Sequence, residues 1–165
     1  MINVGKYESC VCLSRSNPTK LCDGRLSFEE NGRKIILRPK SGEEALAIVV
    51  DGGVCRDKLP KCDGLFLLRK SNKRWIILVE LKGSDLEHAF EQLAYMKKER
   101  MEYRELLSLF GGVGAGVLVE KAFVVSNRMI SRTAHQKLER ENGIRVSGIL
   151  QSAASSPIPD LRNYL

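Results

Sequence analysis

Three residues of this chain have the types and spacing of a hydrolytic site: Asp63, Glu80 and Lys82. The last two close the run WIILVELK, residues 75–82, in which five apolar residues precede the charges. Read as a strand, the run alternates its faces, so both charged side chains point the same way as Ile76 and Leu78. A strand apolar on both faces belongs inside a covered sheet, where an unpaired carboxylate is costly. For an arbitrary E-x-K, the plain reading is that the strand has reached the sheet edge and its charges pair with each other or with water.

Hairpin geometry offers a sharper reading. DGLFLL, beginning at Asp63, and WIILVEL are strand-length apolar runs joined by the polar connection RKSNKR. An antiparallel hairpin turning around residues 71–73 sets Asp63 opposite residues 80–82, at its open end. Two carboxylates and an ammonium then converge from neighbouring strands. Magnesium takes oxygen ligands, keeps several waters and needs only one or two carboxylates from the protein. Asp63 and Glu80 are the candidate Mg2+ ligands, with the backbone carbonyl of Leu81 as a third oxygen and Mn2+ as a possible substitute. Lys82 would orient or help deprotonate an attacking water and stabilise charge on a phosphate.

The pattern D-x16-E-x-K, with Asp at the start of one hairpin strand and E-x-K at the end of the next, followed by a helix, resembles the PD-(D/E)XK nuclease superfamily. The resemblance spans about residues 43–126. It implies an α/β, restriction-endonuclease-like fold with a mixed central sheet flanked by helices. It also implies metal-dependent hydrolysis of phosphodiester bonds, with Asp63 and Glu80 on the metal and Lys82 assisting the water. Many members add a Gln from the following helix, for which Gln92 is the candidate, at the flank of that helix's apolar stripe; a plain surface glutamine is the alternative. Many also carry a Glu in an early helix, for which Glu43 and Glu44 stand at a suitable distance, although Glu44 has helix capping as its plain role. Cys62 rather than Pro precedes Asp63, and Tyr95 follows Gln92 by three residues, not the four usual in recombination-type members.

The surrounding elements must hold this constellation. Asn31-Gly32 marks a hairpin with strands near 25–29 and 34–38. SGEEALAIVVDGG reads as a helical turn at 42–46 leading into a strand at 47–51. Gly83-Ser84 stops the E-x-K strand, and Leu86, Ala89, Phe90, Leu93 and Met96 fall at helical spacing in a helix expected over 85–108. GGVGAG, residues 111–116, follows a helix and precedes the strand VLVEKAFVVS, so it reads as a connection and not as a phosphate loop. A helix over 131–142 ends at Gly143, and a short strand IRVSGI follows.

At 165 residues the chain is long enough for one domain, read as residues 1–150 with an irregular, cysteine-containing N-terminal segment. The small, polar, Pro-containing stretch 151–165 is expected to be a flexible tail. No apolar run reaches the ~20 residues of a membrane span, and the N-terminus lacks a signal-peptide core, so a cytoplasmic, membrane-free protein is expected. Five cysteines, at 10, 12, 22, 55 and 62, are then expected as reduced thiols and not as a disulfide framework.

Lys and Arg outnumber Asp and Glu by 27 to 20, a net charge of +7 that suits a polyanion. DNA is the expected partner. Lys61 and Lys97 are the nearer candidate contacts, with Arg132, Lys137 and Arg140 on the later helix; RKSNKR lies at the far hairpin tip and reads as a solvated turn. Cutting both strands would call for a homodimer or a partner protein, given the chain's size. The alternative function is a nucleic-acid-binding or protein-interaction domain of the same fold that does not cut. A cysteine-bound metal module with a chance E-x-K is a third possibility.

Overall fold

A computed structural model describes residues 1–112 and 116–165. The centre of GGVGAG lies outside the described residues. Two sheets organise the chain. The smaller is antiparallel and three-stranded, formed by β1 (Cys22–Gly24), β2 (Ser27–Glu30) and β3 (Arg33–Ile36). Asn31 and Gly32 both take positive φ, 50° and 77°, at the β2–β3 turn, the backbone that a two-residue hairpin of primed type requires.

The larger sheet has five strands in chain order: β4 (Glu44–Val49), β5 (Gly64–Lys70), β6 (Lys73–Leu81), β7 (Val117–Ser126) and β8 (Gly148–Gln151). The first three form an antiparallel meander, whereas β7 and β8 add in parallel. Parallel pairing needs crossovers, and helices supply them. Helices α1 (Leu86–Glu99) and α2 (Met101–Gly111) connect β6 to β7, and α3 (Arg132–Asn142) connects β7 to β8. The expected α/β class with a mixed sheet is therefore met.

Strand β6 lies mid-sheet, which is why its apolar character is unbroken. Ile76 and Leu78 face a core shared with Phe90, Leu93, Met96 and Leu106 of the first two helices. Trp75, Ile77 and Val79 face a second core with Phe28, Ile35 and Leu37 of the small sheet and Leu161. Helices thus cover one face of the sheet, and the small sheet with the C-terminal segment covers the other.

Several local expectations shift. The helix expected over 85–108 breaks at Arg100, whose ψ of 117° is extended. Residues 42–46 are no helical turn: strand β4 already begins at Glu44, paired with Arg69. Strand β8 starts at Gly148, later than IRVSGI suggested. The stretch 151–165 is not a free tail. Asp160 bridges to Ile36, Leu161 is fully buried, and a 3-10 helix spans Leu161–Tyr164. Cys12 and Cys22, expected as thiols, form a disulfide with Cα atoms 5.6 Å apart; Cys10, Cys55 and Cys62 are free and buried. Cys12 N–H donates to the Ala47 carbonyl at 2.8 Å, so the disulfide joins the edge of the main sheet to the small one.

A candidate active site at the open end of the β5–β6 hairpin

The hairpin register runs from Lys70 opposite Lys73 to Gly64 opposite Val79. One step further, Asp63 faces Glu80, as the sequence arithmetic expects. The Glu80 side chain projects to the helix face, in line with Leu78. Reciprocal bonds lock the pair. Asp63 N–H donates to Glu80 Oε2 at 3.0 Å, and Leu81 N–H donates to Asp63 Oδ2 at 2.7 Å. Each carboxylate thus satisfies a backbone donor on the opposite strand where the ladder ends.

Gly64 makes this end of the sheet compact. A Cβ there would lie 2.6 Å from the Phe28 ring, so only glycine lets the small sheet close beneath the residue that follows Asp63. Asp63 is 8% exposed and Glu80 1%. Burial drives the Asp63 carboxyl up to about 7, against the opposing Leu81 N–H bond and with the nearby charges of Glu30 and Asp51 adding to the rise. Glu80 is raised well above the carboxylate range, first by burial and then by the Asp63 charge. Lys82 opposes that rise, its Nζ lying 3.9 Å from Glu80 Oε1 with the side chain 28% exposed.

Two buried carboxyls of raised pKa and one partly exposed ammonium are a site short of positive charge. Hard oxygen donors suit a cation such as Mg2+. The Leu81 N–H points towards Asp63, and within one strand residue the carbonyl leaves on the same side as the N–H, so Leu81 offers its carbonyl there too. Among the described residues no group of three or more His, Cys, Asp or Glu side chains gathers as a metal cage. The Cys62 thiol, beside Asp63, is pushed well up by burial and stays protonated.

Gln92 reaches the site's supporting wall. Its Nε2 donates to the Lys61 carbonyl at 3.0 Å, two residues before Asp63, while its Oε1 is buried without a partner among the described residues. Gln92 therefore faces the loop that leads to Asp63.

The other candidates divide. Lys61 closes its own loop, donating to the carbonyls of Asp57 and Leu59 at 2.6 and 2.9 Å. Lys97 sits on α1 five residues beyond Gln92, roughly 7.5 Å further along the axis, beside Tyr103 and Glu120. Arg132 and Lys137 lie on α3, where Lys137 pairs with Glu141 at 3.7 Å. Glu43 lies elsewhere: it leads into β4 at the end that pairs with Arg69, roughly 20 Å of strand from Asp63. Its buried carboxylate takes Arg162 in a bidentate pair at 2.8 and 3.0 Å, so its role is to anchor the C-terminal segment.

Sequence reasoning missed the residues that fix the loop before Asp63. Arg100, 4% exposed, makes a bidentate pair with Asp57 at 2.7 Å and donates to the carbonyls of Leu59 and Pro60. The break between α1 and α2 is where that side chain turns inward. No local pattern marks Arg100, because its partners lie some 40 residues upstream.

No family model, curated protein or solved structure matches the chain.

Proposed function

We propose that this protein is a metal-dependent nuclease that hydrolyses phosphodiester bonds in DNA at Asp63, Glu80 and Lys82. The observation that carries this reading is the Asp63–Glu80 pair, two buried carboxyls locked across a hairpin end with an ammonium beside them. Ion pairing alone would have matched each acid to a base, and here it does not. Asp63, Glu80 and the Leu81 carbonyl would hold Mg2+, which when bound supplies positive charge to the phosphate and to the attacking oxygen.

The chain's own residues supply the rest. The backbone bonds at Asp63 and Leu81 keep both carboxylates rigid, so little reorganisation accompanies the reaction. Lys82 Nζ, held beside Glu80 and partly exposed, orients the attacking water by donating hydrogen bonds to it and stabilises charge on the phosphate. Gln92 and Arg100 hold the segment from Leu59 to Lys61 that delivers Asp63 to the strand.

The test is cleavage of single-stranded, duplex and branched DNA and of RNA, with Mg2+, Mn2+ or EDTA, beside Glu80→Ala and Lys82→Ala. Metal-dependent cutting of DNA is expected, falling at least about 100-fold in either variant. Cutting by both variants at the wild-type rate would reject the mechanism. Tight DNA binding without cleavage under any metal would favour a binding domain of the same fold instead.

A further inference from the structure

The Gly83–Ser84 turn after Lys82 touches two arginines that belong neither to the E-x-K pattern nor to any basic run. A Cβ built on Gly83 would lie 3.0 Å from Arg33 Nη2, so this guanidinium rests against bare backbone one residue beyond Lys82. Arg33 comes from the tip of the β2–β3 hairpin. Arg128, just past β7, donates from Nη1 to the Ser84 carbonyl at 2.8 Å.

Backbone bonds position both residues. Lys34 N–H donates to Ser152 Oγ at 3.0 Å, and Ser152 N–H to the Ser126 carbonyl at 3.0 Å. Ser126 Oγ donates to the Gly83 carbonyl and accepts from Arg128 N–H. The small sheet, the Gly83–Ser84 turn and the ends of β7 and β8 are thereby stitched into one rim around the site.

Neither guanidinium is fully matched by charge. Arg33 Nη1 donates to the Asn31 carbonyl at 3.2 Å, which neutralises nothing, and its buried Nε has no partner among the described residues. Arg128, 45% exposed, lies 3.6 Å from Glu87, 60% exposed, a pair too solvated to hold it firmly. Guanidinium is the side chain best matched to phosphate oxygens. Two of them, from separate elements beside one reacting centre, suit successive phosphates of a strand better than a single small anion.

We propose that Arg33 and Arg128 form a two-point phosphate clamp that seats a DNA strand across the Gly83–Ser84 turn, on either side of the bond presented to Asp63, Glu80 and Lys82. The proposal rests on the nuclease reading of that site. Its test is binding, separable from cleavage: anisotropy of a short fluorescein-labelled DNA duplex across a salt series, with Ca2+ in place of Mg2+. Each of Arg33→Ala and Arg128→Ala should weaken binding about tenfold at 0.1 M salt and lower the slope of log K against log salt by about 0.9. Arg33→Lys should keep the slope, and Lys70→Ala, at the far hairpin tip, should keep both slope and affinity.

A double variant with the wild-type slope, or a Lys70→Ala loss as large as that of Arg33→Ala, would overturn the clamp. An RNA duplex bound more tightly than the DNA would overturn the choice of polymer. Slope loss in a protein that never cuts with Mg2+ would support the clamp and reject the nuclease reading. Cutting with unchanged slopes would do the reverse.

Discussion

Asp63 carries the most instructive titration in the molecule. Its carboxyl moves from an ordinary 3.8 to about 7 on folding, chiefly through burial. Between those values the folded state holds a proton that the unfolded chain has released. The stability this group contributes is therefore complete below about pH 4 and is lost as pH rises through 7. Asp63→Asn keeps the shape and an acceptor for Leu81 N–H while removing the charge. In EDTA at pH 8 this variant should melt several degrees above wild type, and the two should converge near pH 4. Calorimetry across that range checks it; a variant less stable than wild type at pH 8 would mean that the carboxylate is already compensated. Added Mg2+ should raise the wild-type melting temperature at pH 8 and leave that of Asp63→Asn in place.

At the scale of elements, the break between α1 and α2 serves the loop that leads to Asp63. Arg100 leaves the helical path to bind Asp57 and two loop carbonyls, and its hydrogen bond to Asp57 raises its own pKa. Removing it would strand the Pro60 carbonyl, leave the Leu59 carbonyl to Lys61 and free the loop that delivers Asp63. Arg100→Ala should cost about 2–4 kcal/mol in urea unfolding. Arg100→Lys cannot restore the bidentate pair and should recover only part. An unchanged unfolding midpoint in Arg100→Ala would show that the loop is held by Gln92 and packing alone. Periodicity could not reveal the break, since Leu86 through Met96 and Tyr103, Leu106 and Phe110 all lie on buried faces. What interrupts the helix is a polar partner distant in sequence.

For the whole molecule, the Cys12–Cys22 disulfide and the Glu43–Arg162 pair tie the two chain ends to the edges of the sheets. Opening the disulfide frees a loop with a sequence separation of 10. Loop entropy puts the loss at about 2–3 kcal/mol, or several degrees of melting temperature for a chain of this size. Cys12→Ser and reductant treatment should lower the melting point alike. Equal melting points with and without reductant, for protein whose intact mass shows the bond, would remove its structural role. Among the described residues, no helix is long and apolar enough to cross a membrane.

The contrast between what was legible in the sequence and what was not follows sequence distance. Asp63 facing Glu80 could be read from the chain because a hairpin register is local: two apolar runs and a short polar turn determine which residues oppose. The helix after Gly83 and the αL stop of α3 were legible for the same reason, being set by neighbours within a turn. The early Glu43 and the free tail were misjudged because Arg162 and Ile36 meet them only when the sheets stack, whereas the reduced cysteines were inferred from an expected compartment and not from geometry. The clamp arginines and Arg100 carried no pattern at all, for each meets backbone supplied by distant segments. By itself the sequence determined which acids and which lysine share one hairpin end, since the register of two apolar runs about a short turn leaves them no other place. Tertiary packing alone decided how deeply they are buried, and it is burial that raises their pKa values and leaves the site in want of a cation.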